Sequence, residues 1–78
     1  MRDERRDIHL LIIRETIGQQ IAYHRKKRQL TQEKLAAITG LRPKHISDTE
    51  NGRKVRIHTL ARLAAGLGVA IDELGGIR

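Results

Sequence analysis

The stretch "TQEKLAAITGLRPKHISDTENG", Thr31 to Gly52, limits the fold more than any other part of the chain. It holds two runs of helix-forming residues, each only about two turns long, on either side of Gly40. Thr31 is a good N-cap, because its hydroxyl can accept a free N–H of the first turn. Gly40 suits the left-handed position that ends a helix and redirects the chain. Pro43 suits the first position of the next helix, where its missing N–H costs nothing. Leu35, Ala36 and Ile38 are expected to face inward from the first helix and Ile46 from the second. Small Ala36 lets the two helices cross closely. Lys44, His45, Ser47 and Asp48 are left for the outer face of the second.

The flanking sequence reads as more helix. Thr16-Ile17-Gly18-Gln19 fits a capping box. It predicts a first helix over about 16–28, with Ile17, Ile21 and His24 at helical spacing and cations "HRKKR" at its C-terminal end, where the macrodipole favours them. Asn51-Gly52 ends the third helix. Ile57, Leu60, Leu63, Ala64 and Leu67 form the apolar stripe of a fourth, closed by Gly68. Val69, Ile71 and Leu74 belong to a last short helix at about 70–75. The expected class is all-α: a compact five-helix domain over 16–78 with an extra segment at 1–15. The apolar "IHLLII" of that segment either extends the first helix backwards, through Leu10, Ile13, Ile17 and Ile21, or forms a strand. It packs on its own domain or on a second subunit.

Charge locates the candidate site. The chain of 78 residues carries a net charge of +7. Residues 25–56 hold ten basic groups against Glu33, Asp48 and Glu50, so the whole excess lies on the central third. A localised basic surface is the footprint of a polyanionic partner, with a solvated surface as the plain alternative. There is no Cys, so disulfides are excluded. The start "MRDERRDIHLLII" is too short in apolar residues for a signal-peptide core, and no apolar run approaches membrane-spanning length. Cytoplasmic, nucleoid-associated residence is expected.

Enzyme chemistry finds little support. His9, His24, His45 and His58 have no metal-ligand spacing and no Cys to join them. Asp72 and Glu73 are adjacent and point different ways on a helix. No phosphate-cradling glycine loop is present, and no cofactor is expected. Tyr23 is the single aromatic residue, which argues against single-stranded nucleic acid, since that needs stacking platforms.

Two short helices about a tight turn, with a small residue at the crossing, meet the physical specification of a helix-turn-helix. Three blocks carry the likeness further: "IGQQIAYHRKKRQLTQEKLAAITG", "ISDTENG" and "LARLAAGLGVAIDEL". From about Ile17 to Leu74 the chain resembles the Cro/CI-type (lambda-repressor-like, XRE-type) helix-turn-helix family. The resemblance implies a five-helix domain, a homodimer, and a pseudo-palindromic double-stranded DNA operator as ligand. Lys44, His45 and Asp48 match positions facing base edges. Lys can donate to guanine and Asp can accept from cytosine. Pro43 and Ser47 are lesser reading candidates. Gln32 matches the residue that grips a backbone phosphate and braces the third helix, with a plain surface role as the alternative. Arg42, Asn51, Arg53 and Lys54 match backbone contacts. Arg25 and Glu50 match a structural ion pair, with Arg25 on phosphate as the competing reading.

The sequence departs from the family pattern in several places. His24 and Thr49 stand at usually apolar core positions, and Arg42 and Arg56 replace capping residues. The loop 52–56 lacks the frequent proline and is about one residue short. With no effector or protease domain in view, a small repressor or a restriction–modification controller is expected. The alternative is an antitoxin or adaptor that binds a protein through "IHLLII" or through Ile71, Leu74 and Ile77.

Overall fold

The structure, a computed structural model, describes the backbone of residues 4–75 and the side chains of residues 16–75. Four α-helices run in order: α1 (Glu4–Lys27), α2 (Gln32–Thr39), α3 (Pro43–Glu50) and α4 (Ile57–Leu67). A single 3-10 turn, Ile71–Leu74, stands where a fifth helix was expected. The described residues contain no strand, and none of their helices is long and apolar enough to cross a membrane. α1 packs on α3, on the 3-10 turn and on α4, while α2 packs on both α3 and α4.

The ends of the short helices follow from local chemistry. The Thr31 hydroxyl accepts the Lys34 N–H at 3.0 Å. Gly40 and Gly68 both take left-handed conformations, with φ of 76° and 72°. At each, the following N–H returns to a carbonyl five residues earlier, Leu41 to Ala36 and Val69 to Ala64. This is the Schellman closure. α1 closes the same way, with Leu30 donating to the Arg25 carbonyl, but its left-handed residue is Gln29 at φ 57°. A side chain there costs about 1 kcal/mol or more, against about 0.5–1 kcal/mol of extra chain entropy for glycine. Gln29 is exposed. Gln29→Gly is therefore expected to gain a few tenths to about 1 kcal/mol. That is a rise of a few degrees in Tm by thermal denaturation, and a fall would contradict it.

Three further expectations need correction. First, α1 does not start at a Thr16 cap; it runs unbroken from Glu4 through Thr16. Residues 4–15 contain no Pro or Gly, so nothing stops the helix from propagating, and a mid-helix Thr costs only about 0.6 kcal/mol. The helical alternative for this segment is therefore the observed one, and the strand is not. What "IHLLII" packs against lies outside the described side chains, as does any role of Ile77. Second, Ile38 is 56% exposed. The buried face of α2 is Leu35 and Ala36 with half-buried Thr39, and at about 100° per residue Ile38 lies roughly 110° from its centre. Third, Ile57 is also 56% exposed. The buried stripe of α4 is Thr59, Leu60, Leu63, Ala64 and Leu67, which leaves Ile57 roughly 90° off centre.

Among the described residues the core is Ile17, Ile21, Leu35, Ala36, Ile46, Leu60, Leu63, Ala64, Leu67 and Leu74. His24 and Thr49, the two departures, are buried with it. The Thr49 hydroxyl donates to the His45 carbonyl at 2.9 Å, so its polar atom is satisfied inside its own helix. The Arg28 guanidinium lies 3.3 Å from His24 Nδ1 and 3.0 Å from its carbonyl. Gly18 is the close crossing of α1 on α3. A Cβ there would lie 2.5 Å from the Thr49 carbonyl oxygen and 2.7 Å from that of Glu50.

Candidate nucleic-acid interface

α3 owes its position to both ends of the turn. Gly40 redirects the chain, extended Arg42 leads into Pro43, and the helix starts with no side-chain cap. Ile46 and Thr49 face the core. The opposite face brings together the expected reading residues, with Pro43, Lys44 and His45 exposed and Ser47 and Asp48 half-exposed. Lys44 Nζ lies 3.1 Å from Asp48 Oδ2, and the two side chains are 83% and 35% exposed.

Cations and amides flank this face. Exposed Arg42 precedes the helix. Beyond its C-terminus the Asn51 N–H bonds the Ser47 carbonyl and the Arg53 N–H bonds the Asp48 carbonyl. Gly52 takes φ 91°, and half-buried Val55 anchors the loop against the core. Arg53, Lys54 and Arg56 are all exposed there. Every expected backbone residue except Gln32 thus lies at one end of α3 or the other.

Half-buried Gln32 belongs instead to a network centred on one carboxylate. Arg25 Nε donates to Glu50 Oε2 at 2.6 Å and Arg25 Nη2 to Glu50 Oε1 at 3.0 Å. A third guanidinium nitrogen, Nη1, donates to the Leu30 carbonyl at 2.8 Å. Gln32 Nε2 donates to Glu50 Oε1 at 3.0 Å. One carboxylate therefore ties α1, α2 and α3 together. The Glu50 hydrogen bond holds the Arg25 pKa above its ordinary value, against the desolvation that burial imposes. The Gln32 bond uses one of its two amide protons and leaves the other for a further acceptor.

Two residues of the region were read from sequence only as parts of a helix cap. Gly18 sets the α1–α3 distance, and Gln19 beside it lines a shallow cleft with Glu50, Asn51 and Gly52. The available signal was a glycine in the middle of a strong helical run, which costs about 1 kcal/mol and so asks for a packing reason. Among the described residues no cluster of His or acidic side chains could hold a metal ion.

The sequence profile of the helix-turn-helix family HTH_3 matches residues 21–74. The chain belongs to this helix-turn-helix family. Family membership makes it a DNA-binding regulator of the XRE type and not an enzyme. It is 36% identical over 63 residues to an HTH-type transcriptional regulator, y4dJ, of Sinorhizobium fredii, covering 80% of this chain and 82% of that one. Among solved structures it is similar to the restriction-modification controller C.AhdI of Aeromonas hydrophila. The TM-score there is 0.74 at 31% identity, over 77% of this chain and 92% of that one. The clp gene regulator ClgR of Corynebacterium glutamicum superposes with TM-score 0.75 at 25% identity, over 80% and 82% of the two chains. An HTH_3 family transcriptional regulator of Vibrio cholerae gives 0.79 at 26% identity, but this chain spans only 37% of its length.

Proposed function

We propose that the chain is a sequence-specific, homodimeric repressor of transcription that acts in the cytoplasm, with α3 in the major groove of double-stranded DNA. One observation carries the reading. The outward face of α3 offers hydrogen-bonding groups suited to base edges, and exposed cations sit at both of its ends. In such a docking Lys44, His45 and Asp48 face bases, with Pro43 and Ser47 beside them, and Arg42, Asn51, Arg53 and Lys54 hold phosphates. Gln32 gives its second amide proton to a phosphate at the N-terminal end of α2. Likeness to a restriction-modification controller over nearly its whole length supports a small regulator. Two half-sites lie about one helical turn, roughly 34 Å, apart on a pseudo-palindromic operator.

Salt dependence tests the electrostatic half of this reading. Arg42, Arg53 and Lys54 are three exposed cations on one protomer, so six in a dimer. At about −0.9 per neutralised phosphate, log Kobs against log salt has a slope of about −5. Affinity then falls about 10³-fold from 50 to 200 mM salt. Lys54→Ala should shrink the slope by about 2 per dimer with no change in sequence preference. A slope near zero would contradict phosphate binding by this surface.

A further inference from the structure

Lys44 and Asp48 are placed against the preference of their own helix. Lys44 is the second residue of α3 and Asp48 lies in its last turn; α3 has no acid in its first turn and no base in its last. The macrodipole favours the opposite arrangement, anions at the N-terminus and cations at the C-terminus. The i, i+4 order is also the weaker one, since the acid precedes the base in the better pair. An exposed pair of this kind adds little to stability in any case. Helix stability therefore does not account for these two charges. In the proposed docking Asp48 also brings a carboxylate close to the DNA polyanion, which repels it unless something on the ligand donates to it.

We infer that Lys44 and Asp48 act as one unit that reads a single G·C base pair. The inference rests on the proposed docking of α3 in the major groove. Across that groove a G·C pair presents two acceptors and then a donor: guanine N7, guanine O6 and cytosine N4–H. The A·T pair presents acceptor, donor, acceptor, with the thymine methyl beside the last. Lys44 Nζ and Asp48 Oδ2, 3.1 Å apart, form a donor beside an acceptor. Guanine O6 and cytosine N4 form the complementary acceptor beside a donor, since they bond each other within the pair. The ammonium carries three protons and the carboxylate several lone pairs. Lys44 can then span N7 and O6, and Asp48 can take the outward N4–H, while the two stay in contact. Thymine O4 or guanine O6 opposite Asp48 places acceptor against acceptor. Asp48 thus acts by rejection as well as by attraction.

The test uses the full chain and a duplex selected from random DNA by the wild type. Each position of that duplex is then varied through all four base pairs. Affinities are measured for wild type, Lys44→Ala, Asp48→Ala and the double variant. Both single variants are expected to lose about tenfold or more of the preference at the same G·C pair. The double variant should lose little more there than either alone. A swap, Lys44→Asp with Asp48→Lys, keeps net charge and contact and suits the macrodipole. It should melt no lower than wild type yet bind the selected duplex at least about tenfold more weakly. Relaxation at two different positions, no relaxation by Asp48→Ala, a shared A·T pair, or wild-type binding by the swap would each overturn the inference while leaving the docking intact. If the wild type selects no sequence, the docking fails and the inference fails with it.

Discussion

Glu50→Ala is expected to cost about 3 kcal/mol or more of folding stability, the low end of what removing one partner of a buried ion pair costs. The Arg25 and Glu50 side chains are only 11% and 8% exposed. Without the carboxylate the Arg25 guanidinium keeps the Leu30 carbonyl but stays partly buried with its charge uncompensated, and Gln32 loses its acceptor. A domain of this size has a total stability of only about 4–12 kcal/mol, so Tm should fall on the order of 15 °C. Replacing both charges, with Arg25→Met and Glu50→Leu, should recover most of the loss, because no buried charge is left unpaired. Thermal denaturation by circular dichroism distinguishes the cases. An unchanged Tm in Glu50→Ala would contradict the structural role. A loss of affinity per folded molecule with normal Tm would move Arg25 to the DNA backbone.

Gly18→Ala sets two effects against each other. Alanine is about 1 kcal/mol better than glycine in a helix interior, so propensity alone predicts a gain. The new Cβ, however, would sit 2.5 Å and 2.7 Å from two backbone carbonyl oxygens of α3. Backbone cannot rotate aside as a side chain can, so α1 and α3 must move apart. Such overpacking costs about 1–3 kcal/mol, occasionally more. The movement also strains the Arg25–Glu50 pair, which joins the same two helices. A net loss of at least about 1 kcal/mol is expected, together with weaker DNA binding because α3 is re-aimed. A rise in Tm would show that the crossing is looser than the structure describes.

The parts of this molecule that could be read from sequence are those decided locally. Thr31, Gly40, Pro43 and Gly68 each act through their own φ, hydroxyl or missing N–H, so the limits of α2, α3 and α4 follow within about a residue. The start of α1 was misplaced because a capping motif at Thr16 is only an option, and the helix-forming residues before it decide the outcome. Ile38 and Ile57 were misplaced because an apolar residue at the edge of a stripe is buried only if a neighbouring helix covers it. The candidate site divides in the same way. The helix-turn-helix pattern named Lys44, His45 and Asp48, and periodicity places them on one face. The Gln32–Glu50 bond and the Gly18 contact join residues 18 and about 31 positions apart. They exist only once three helices have packed.

Selection of binding sites from random duplex DNA tests the assignment of α3 as the reading helix most directly. Wild type and a Lys44→Ala, His45→Ala, Asp48→Ala triple variant are run side by side near 100 mM salt. All three substitutions fall on the outward face of α3, so both proteins should fold. The wild type is expected to enrich a two-fold symmetric site with half-site centres about one helical turn apart. The triple variant should bind DNA through Arg42, Arg53 and Lys54 and enrich nothing. Enrichment of the same site by both proteins would contradict the assignment.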